Sequence, residues 1–164
     1  MARHIRTAPP SVNALVPVQT RWICMTDAEK LVGDWRLASF FTEDVQTKQR
    51  TNVYGERPSG YLGISPAGRF VGLVTPEQQK AAQSTEEQAA VYRSILAYTG
   101  KLRLDGKRFI VDVDVAWNKD WVGTEQVRFW RVEDNRLFIT SAPIPNPNAP
   151  ESMLIGTLIW EKEQ

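Results

Sequence analysis

The 164-residue sequence contains little of the chemistry that metal sites and most hydrolytic sites require. His4 is the only histidine, and it lies close to the N-terminus. Catalytic triads and histidine-based metal sites need an imidazole within the fold. The sequence therefore predicts no metal site, and any acid–base role would fall to Asp, Glu, Tyr or Lys side chains.

Disulfides, long apolar segments and an excess of one charge are also missing. Cys24 is the only cysteine, so no intrachain disulfide can form. This favours a reducing compartment and predicts a cytoplasmic location. No apolar run reaches the ~18 residues of a membrane-spanning helix. The net charge of +1 gives no electrostatic reason to expect nucleic acid as a partner.

The length fits a single domain, but the composition sets the first residues apart. Residues 1–24 contain three arginines, three prolines and no acidic residue. They show no clear period, which predicts a flexible extension; an organellar presequence is the alternative. Met25 begins a stretch typical of a natural N-terminus, which leaves open a native start there. Residues 25–164 form the predicted folded domain.

Polar and apolar residues alternate along most of that domain, which is the period of β strands. Short connections between nine such segments predict an antiparallel meander. One of the nine is predicted over about residues 47–54. The first predicted strand places one set of side chains on a shared face: Trp35, Leu37, Ser39 and Phe41.

Two capping-box patterns predict helices. Thr26 and Glu29 predict a short helix that ends at Gly33. A second pattern begins at Ser84 and predicts a helix over about 85–97. No glycine-rich loop joins a strand to a helix, so neither a nucleotide-binding fold nor a nucleotide cofactor is expected. We therefore expect the protein to have no cofactor.

Three motifs, in their order along the chain, resemble the bacterial and fungal lipocalin-like domain family, a branch of the calycin barrels. They are residues 31–37 with Gly-Asp-Trp, residues 54–69 with Gly-Tyr-Leu, and residues 118–129 with Trp-Val-Gly-Thr-Glu. The family also has a helix after the fourth strand, where the mid-chain helix is predicted here. The resemblance covers about residues 27–162.

The resemblance implies a mainly β fold, a single antiparallel lipocalin-like barrel of eight or nine strands. A short N-terminal helix would precede the barrel, and the helix at about 85–97 would be inserted mid-chain. A barrel of this size encloses packed side chains or one small ligand. The family often has a histidine in the strand before the Trp-Val-Gly-Thr-Glu loop. That strand here has only valines and aspartates at 111–115, so a proton-transfer role for that histidine does not carry over.

Six residues are candidates for a ligand site: Trp35, Phe41, Tyr61, Tyr98, Asp114 and Arg128. Trp35 is expected to close one end of the barrel, with Phe41 further up the same wall. Tyr61 and Tyr98 are expected to line the mouth beneath the mid-chain helix. Tyrosine offers an apolar ring with one hydroxyl, which suits a small-molecule pocket. Ordinary packing of the helix on the barrel is the alternative.

The strand around Asp114 allows two interpretations. Its aspartates alternate with valines, so they share one face of the strand. On the first interpretation that face is solvated and the valines are in the core. On the second, Asp114 points inward and pairs with Arg128, which lies opposite it if Trp121 is the middle of the connection. That pair would anchor a polar group of a ligand, whereas Arg128 alone would form an ordinary surface ion pair.

These observations predict a protein that binds a small, mostly apolar or amphipathic molecule in a barrel cavity. Two alternatives stay open: a cofactor-independent cyclase or isomerase of a natural-product intermediate, and a filled barrel without a ligand. No catalytic residue is assigned. The expected partner is a small molecule, with neither nucleic acid nor a membrane span, and a homodimer is left open.

Overall fold

The computed structural model describes residues 26–163. The predicted extension at 1–24 lies outside the described residues. The elements, in order, are α1 (Asp27–Leu31), β1 (Gly33–Asp44), β2 (Arg50–Thr51), β3 (Ser59–Ile64), β4 (Arg69–Thr75), α2 (Thr85–Ser94), β5 (Leu96–Asp105), β6 (Arg108–Ala116), a 3₁₀ helix (Lys119–Trp121), β7 (Glu125–Glu133), β8 (Arg136–Thr140), β9 (Ile144–Asn146) and β10 (Ala149–Lys162).

Eight antiparallel strands form a closed barrel in the order β1-β3-β4-β5-β6-β7-β8-β10, and pairing between β10 and β1 closes it. The short strands β2 and β9 extend the sheet beside β1 and β10. The predicted mainly β barrel, with a short N-terminal helix and one mid-chain helix, is confirmed. No helix among residues 26–163 is long and apolar enough to cross a membrane.

Two predicted elements are shorter than expected. The mid-chain helix ends at Ser94, because Ile95 is extended and the chain then pairs with β4 as strand β5. The strand predicted over 47–54 is mostly a loop, and only Arg50 and Thr51 pair with β1. The chain turns just before that pair, where Lys48 has a φ of 62°.

The N-terminal helix closes one end of the barrel. Its predicted capping box is present: the Thr26 amide donates to Glu29 Oε2 at 2.7 Å, and the Glu29 amide donates to Thr26 Oγ1 at 3.3 Å. Leu31 is completely buried, and its carbonyl accepts a hydrogen bond from the indole nitrogen of Trp35 at 2.9 Å. We call this end, built around Leu31 and Trp35, the floor of the barrel.

A β-bulge in β1 changes which residues face the interior. Leu37 lies opposite Trp160 and Ser39 lies opposite Ile159, so β1 has one extra residue there. An extra residue reverses the alternation of a strand. Phe40 therefore lines the interior in place of Phe41. The predicted shared face is thus wrong beyond Leu37.

A second bulge lies in β6. Thr99 pairs with Val115 and Gly100 pairs with Val113, which leaves Asp114 as the extra residue. A Cβ on Gly100 would collide with the Asp112 carbonyl, so the strands approach closely here. Val113 is 4% exposed, whereas Val115 is 61% exposed. The predicted apolar core face of this strand therefore ends at the bulge.

Candidate functional site

The half of the barrel away from the floor encloses a cavity of about 200 Å³. Most of its wall is apolar, and the main apolar residues are Phe40, Leu62, Phe70, Val74, Leu96, Ile139 and Leu158. Pockets for drug-sized ligands measure ~300–1,000 Å³. A dry cavity of ~150 Å³ holds benzene. The space here therefore suits a molecule about the size of one substituted ring.

A wider depression of about 480 Å³ lies on the outer wall beside Phe129 and Phe138. It is open to solvent, and the guanidinium of Arg131 covers the Phe138 ring at 3.7 Å. An open depression removes little of a small ligand from water, and apolar burial is the main source of affinity for such molecules. The interior cavity is therefore the better candidate site.

Trp160 contributes a buried donor to the cavity. The residue is 3% exposed, and its indole nitrogen has no hydrogen-bond partner within the described part of the chain. Leaving a buried N–H without an acceptor costs ~1–3 kcal/mol, so most such groups are paired with protein, water or a ligand. The Trp160 side chain thus lines the cavity while its indole nitrogen stays buried without an acceptor in the described part of the chain.

Tyr98 lies in the wall between two other aromatic rings. Its ring centroid is 4.9 Å from that of Phe70 and 5.4 Å from that of Trp121, which in turn contacts Trp117 at 4.8 Å. Burial raises the pKa of Tyr98, and the positive charge of Arg128 opposes this. The Tyr98 hydroxyl is thus neutral near pH 7 and can donate a hydrogen bond.

Among residues 26–163, Arg128 is the one charged residue in the cavity lining. Its guanidinium donates from Nη1 to the Val127 carbonyl at 2.8 Å and from Nη2 to Gln126 Oε1 at 3.0 Å. Among residues 26–163, no carboxylate lies within ion-pair distance of Arg128. The cavity therefore contains an uncompensated cation beside apolar walls.

Asp114 does not lie opposite Arg128, contrary to one of the two interpretations of the sequence. Phe109, five residues earlier, is the residue opposite Arg128. An odd offset places the two side chains on opposite faces of the sheet. Asp114 is about half exposed on the outside, where it forms an ion pair with Arg69 that lowers its pKa.

The other predicted site residues lie outside the cavity lining. Trp35 is buried in the floor. Phe41 faces outward, with the Arg50 guanidinium 4.7 Å from its ring centroid. Tyr61 is 56% exposed on the outer face of β3. Of the six candidates, Tyr98 and Arg128 line the cavity.

Sequence reasoning missed three polar groups of the wall: Thr42, Ser141 and Trp160. Thr42 was hidden by the bulge in β1, which reverses its face. The inward position of Trp160 could have been predicted from the sequence, because Leu158 and Trp160 are two residues apart in the last strand and therefore share a face. Ser141 follows the last residue of β8, and its Oγ accepts a hydrogen bond from the Gly156 amide at 2.9 Å.

Comparison with known proteins agrees with the geometry. A family model described as a lipocalin-like domain matches residues 32–163. No curated protein matches the chain. The match covers the whole closed barrel, from the first residue of β1 to the end of β10. The chain belongs to the lipocalin-like domain family.

Proposed function

We propose that this protein binds a small, mostly apolar molecule inside the barrel. The observation that carries the proposal is the contrast within one interior: the floor is filled by side chains, whereas the other half encloses about 200 Å³. An enclosed apolar space with a few polar groups is the usual form of a small-molecule site. Ile144, which lines the cavity and is 51% exposed, marks the side from which a ligand can enter.

The lining favours binding over the other two hypotheses. A filled barrel would not contain a cavity of about 200 Å³. An acid–base cyclase or isomerase needs a group that gains or loses a proton near neutral pH. The titratable groups in the lining are Tyr98, whose pKa burial raises, and Arg128. Asp114, the carboxylate among the six candidate site residues, lies on the outer face.

The test uses a substitution that fills the cavity without disturbing the barrel. A Cβ on Gly156 would lie 3.6 Å from Phe40 Cε2 and 3.7 Å from Ser141 Oγ, which are ordinary contacts. Gly156 lines the cavity, so valine at this position would add two methyl groups beyond that Cβ. Gly63→Val is the control on the outer side, where a Cβ would lie 3.3 Å from Asp34 Oδ1, a tight contact that the exposed Asp34 side chain can relieve by moving.

The probes are toluene and indole, and the readouts are NMR chemical shifts and tryptophan fluorescence. We expect saturable changes in the wild-type protein and in Gly63→Val. Gly156→Val should lose them while keeping its circular dichroism spectrum. The proposal is wrong if neither probe gives a saturable response, or if Gly156→Val responds as the wild type does.

A further inference from the structure

The charge and the hydrogen-bond donors of the cavity lining indicate which class of small molecule can bind there. This inference rests on the proposed function. A guanidinium has five N–H donors. Arg128 uses two of its nitrogens for the Val127 carbonyl and the Gln126 side chain, and both of these acceptors are neutral. The remaining donors and the full positive charge are left for another partner.

The rest of the polar lining also favours an acceptor. The Trp160 indole can only donate, and the neutral Tyr98 hydroxyl can also donate. The other two polar groups are the hydroxyls of Thr42 and Ser141, and no carboxylate of the described chain lines the cavity. A cationic ligand would thus meet a like charge and no counter-ion, at high cost in an apolar site.

The size of the cavity and its single cation limit the anion. One positive charge balances one negative charge. A doubly charged phosphate would leave an uncompensated charge in a space of about 200 Å³ with mostly apolar walls. A carboxylate has one charge and matches the guanidinium with two parallel hydrogen bonds.

We propose that the ligand is a small apolar monocarboxylate, about the size of one substituted ring, whose carboxylate binds Arg128. The apolar body occupies the space between Phe40, Phe70 and Leu158. Arg128 is then the residue that determines specificity, since a neutral ligand of the same shape leaves the cation without a counter-ion. Tyr98, with a neutral hydroxyl, lines the same space.

The experiment compares benzoate, benzamide and benzylamine, which share a ring and differ in charge. Isothermal titration calorimetry or an NMR titration gives the affinity for wild type, Arg128→Met and Arg69→Met. Arg69→Met is the matched control, because it removes an arginine that pairs with Asp114 on the outer wall. Circular dichroism checks that each variant folds, and Arg128→Lys provides a second variant that keeps the charge.

We expect wild type to bind benzoate at least about tenfold more tightly than benzamide, and benzylamine not measurably. Arg128→Met should lose that preference while still binding toluene, whereas Arg69→Met should keep it. Arg128→Lys should retain part of it.

Equal affinity for benzoate and benzamide in the wild type would overturn the carboxylate assignment. A preference that survives in Arg128→Met would do the same. In both cases saturable toluene binding would leave the proposed binding function standing. If toluene, indole and benzoate all fail to bind, the binding function itself is wrong, and the ligand assignment fails with it.

Discussion

The floor and the cavity half of the barrel each contain a buried tryptophan, and the two differ in the hydrogen bonding of the indole nitrogen. The indole nitrogen of Trp35 donates to the Leu31 carbonyl at 2.9 Å. That of Trp160 has no acceptor within the described chain. They lie on adjacent strands, with Trp160 opposite Leu37, two residues from Trp35. The floor is therefore complete on its own, whereas the cavity half lacks one acceptor.

The helices at the two ends explain this difference. Helix α1 buries Leu31 completely against the barrel and supplies the acceptor for Trp35. Helix α2 has no buried residue, and Tyr92 ties it to the barrel through a 2.8 Å hydrogen bond to the Trp117 carbonyl. Helix α1 thus completes the floor, whereas α2 buries none of its residues at the end that contains the cavity.

Removing the Trp35 side chain should give the largest effect. Trp35→Ala would leave a cavity in the floor and an unpaired Leu31 carbonyl, at a cost of ~3–5 kcal/mol in the free energy of unfolding. Urea denaturation followed by circular dichroism measures it. Phe129→Ala, at a residue 45% exposed on the outer wall, is the control and should cost much less. Similar losses in the two variants would contradict a separate, closed floor.

Replacing each tryptophan by phenylalanine should affect stability differently, because only one of the two indole nitrogens is hydrogen-bonded. Trp35→Phe and Trp160→Phe remove the same volume, so the difference between them reports the hydrogen bond. We expect Trp35→Phe to be less stable by ~1–3 kcal/mol, because it alone leaves a buried carbonyl unpaired. Equal unfolding midpoints in urea would mean that the Trp160 indole is as well satisfied as that of Trp35.

Much of the floor can be predicted from the sequence, because its signals are local. The capping box of Thr26 and Glu29 depends on residues three apart, and it forms as predicted. Trp35 and Leu37 are adjacent inward positions before any bulge, so simple alternation places both correctly. Local chemistry thus determines the end of the barrel that supplies stability.

The cavity half is harder to predict, because its geometry depends on register. The single extra residue after Leu37 moves Phe40 inward and Phe41 outward. The second case is the predicted pair of Asp114 and Arg128. Simple alternation allows this pair, but Arg128 lies opposite Phe109 and Asp114 is the extra residue of a bulge. No local pattern marks either bulge, since the strand pairing that creates it joins residues far apart in sequence.

Alkaline titration should distinguish Tyr98, whose pKa is raised, from the exposed tyrosines. It also tests whether Tyr98 lies beside the proposed ligand. Burial raises the pKa of Tyr98 above its usual 10.0, so it stabilises the fold below that pH, and this contribution is lost as the pH rises further. Burial also raises the pKa of Tyr54, which lies outside the cavity lining. Tyrosinate absorbance in Tyr54→Phe should therefore report Tyr98 more cleanly.

Adding benzoate should move that titration to still higher pH, because a bound carboxylate disfavours a second negative charge nearby. The shift should be present in Tyr54→Phe and absent in Tyr98→Phe. A benzoate-induced shift of the same size in Tyr98→Phe would place the anion elsewhere on the protein.

The smallest effect is expected for substitution of Asp114, which tests whether the outer wall influences binding in the cavity. The Arg69 hydrogen bond lowers the Asp114 pKa, so its contribution to stability is present above pH ~4 and is lost as the pH falls through the lowered value. Asp114→Asn should thus reduce stability slightly near neutral pH, have no effect on stability once acid has protonated Asp114, and leave benzoate affinity near neutral pH unchanged. Because Asp114 and Arg128 lie on opposite faces of the barrel wall, only Arg128 substitutions should alter the preference for benzoate over benzamide. A loss of that preference in Asp114→Asn would mean that the two charges act together, as an inward-facing Asp114 would require.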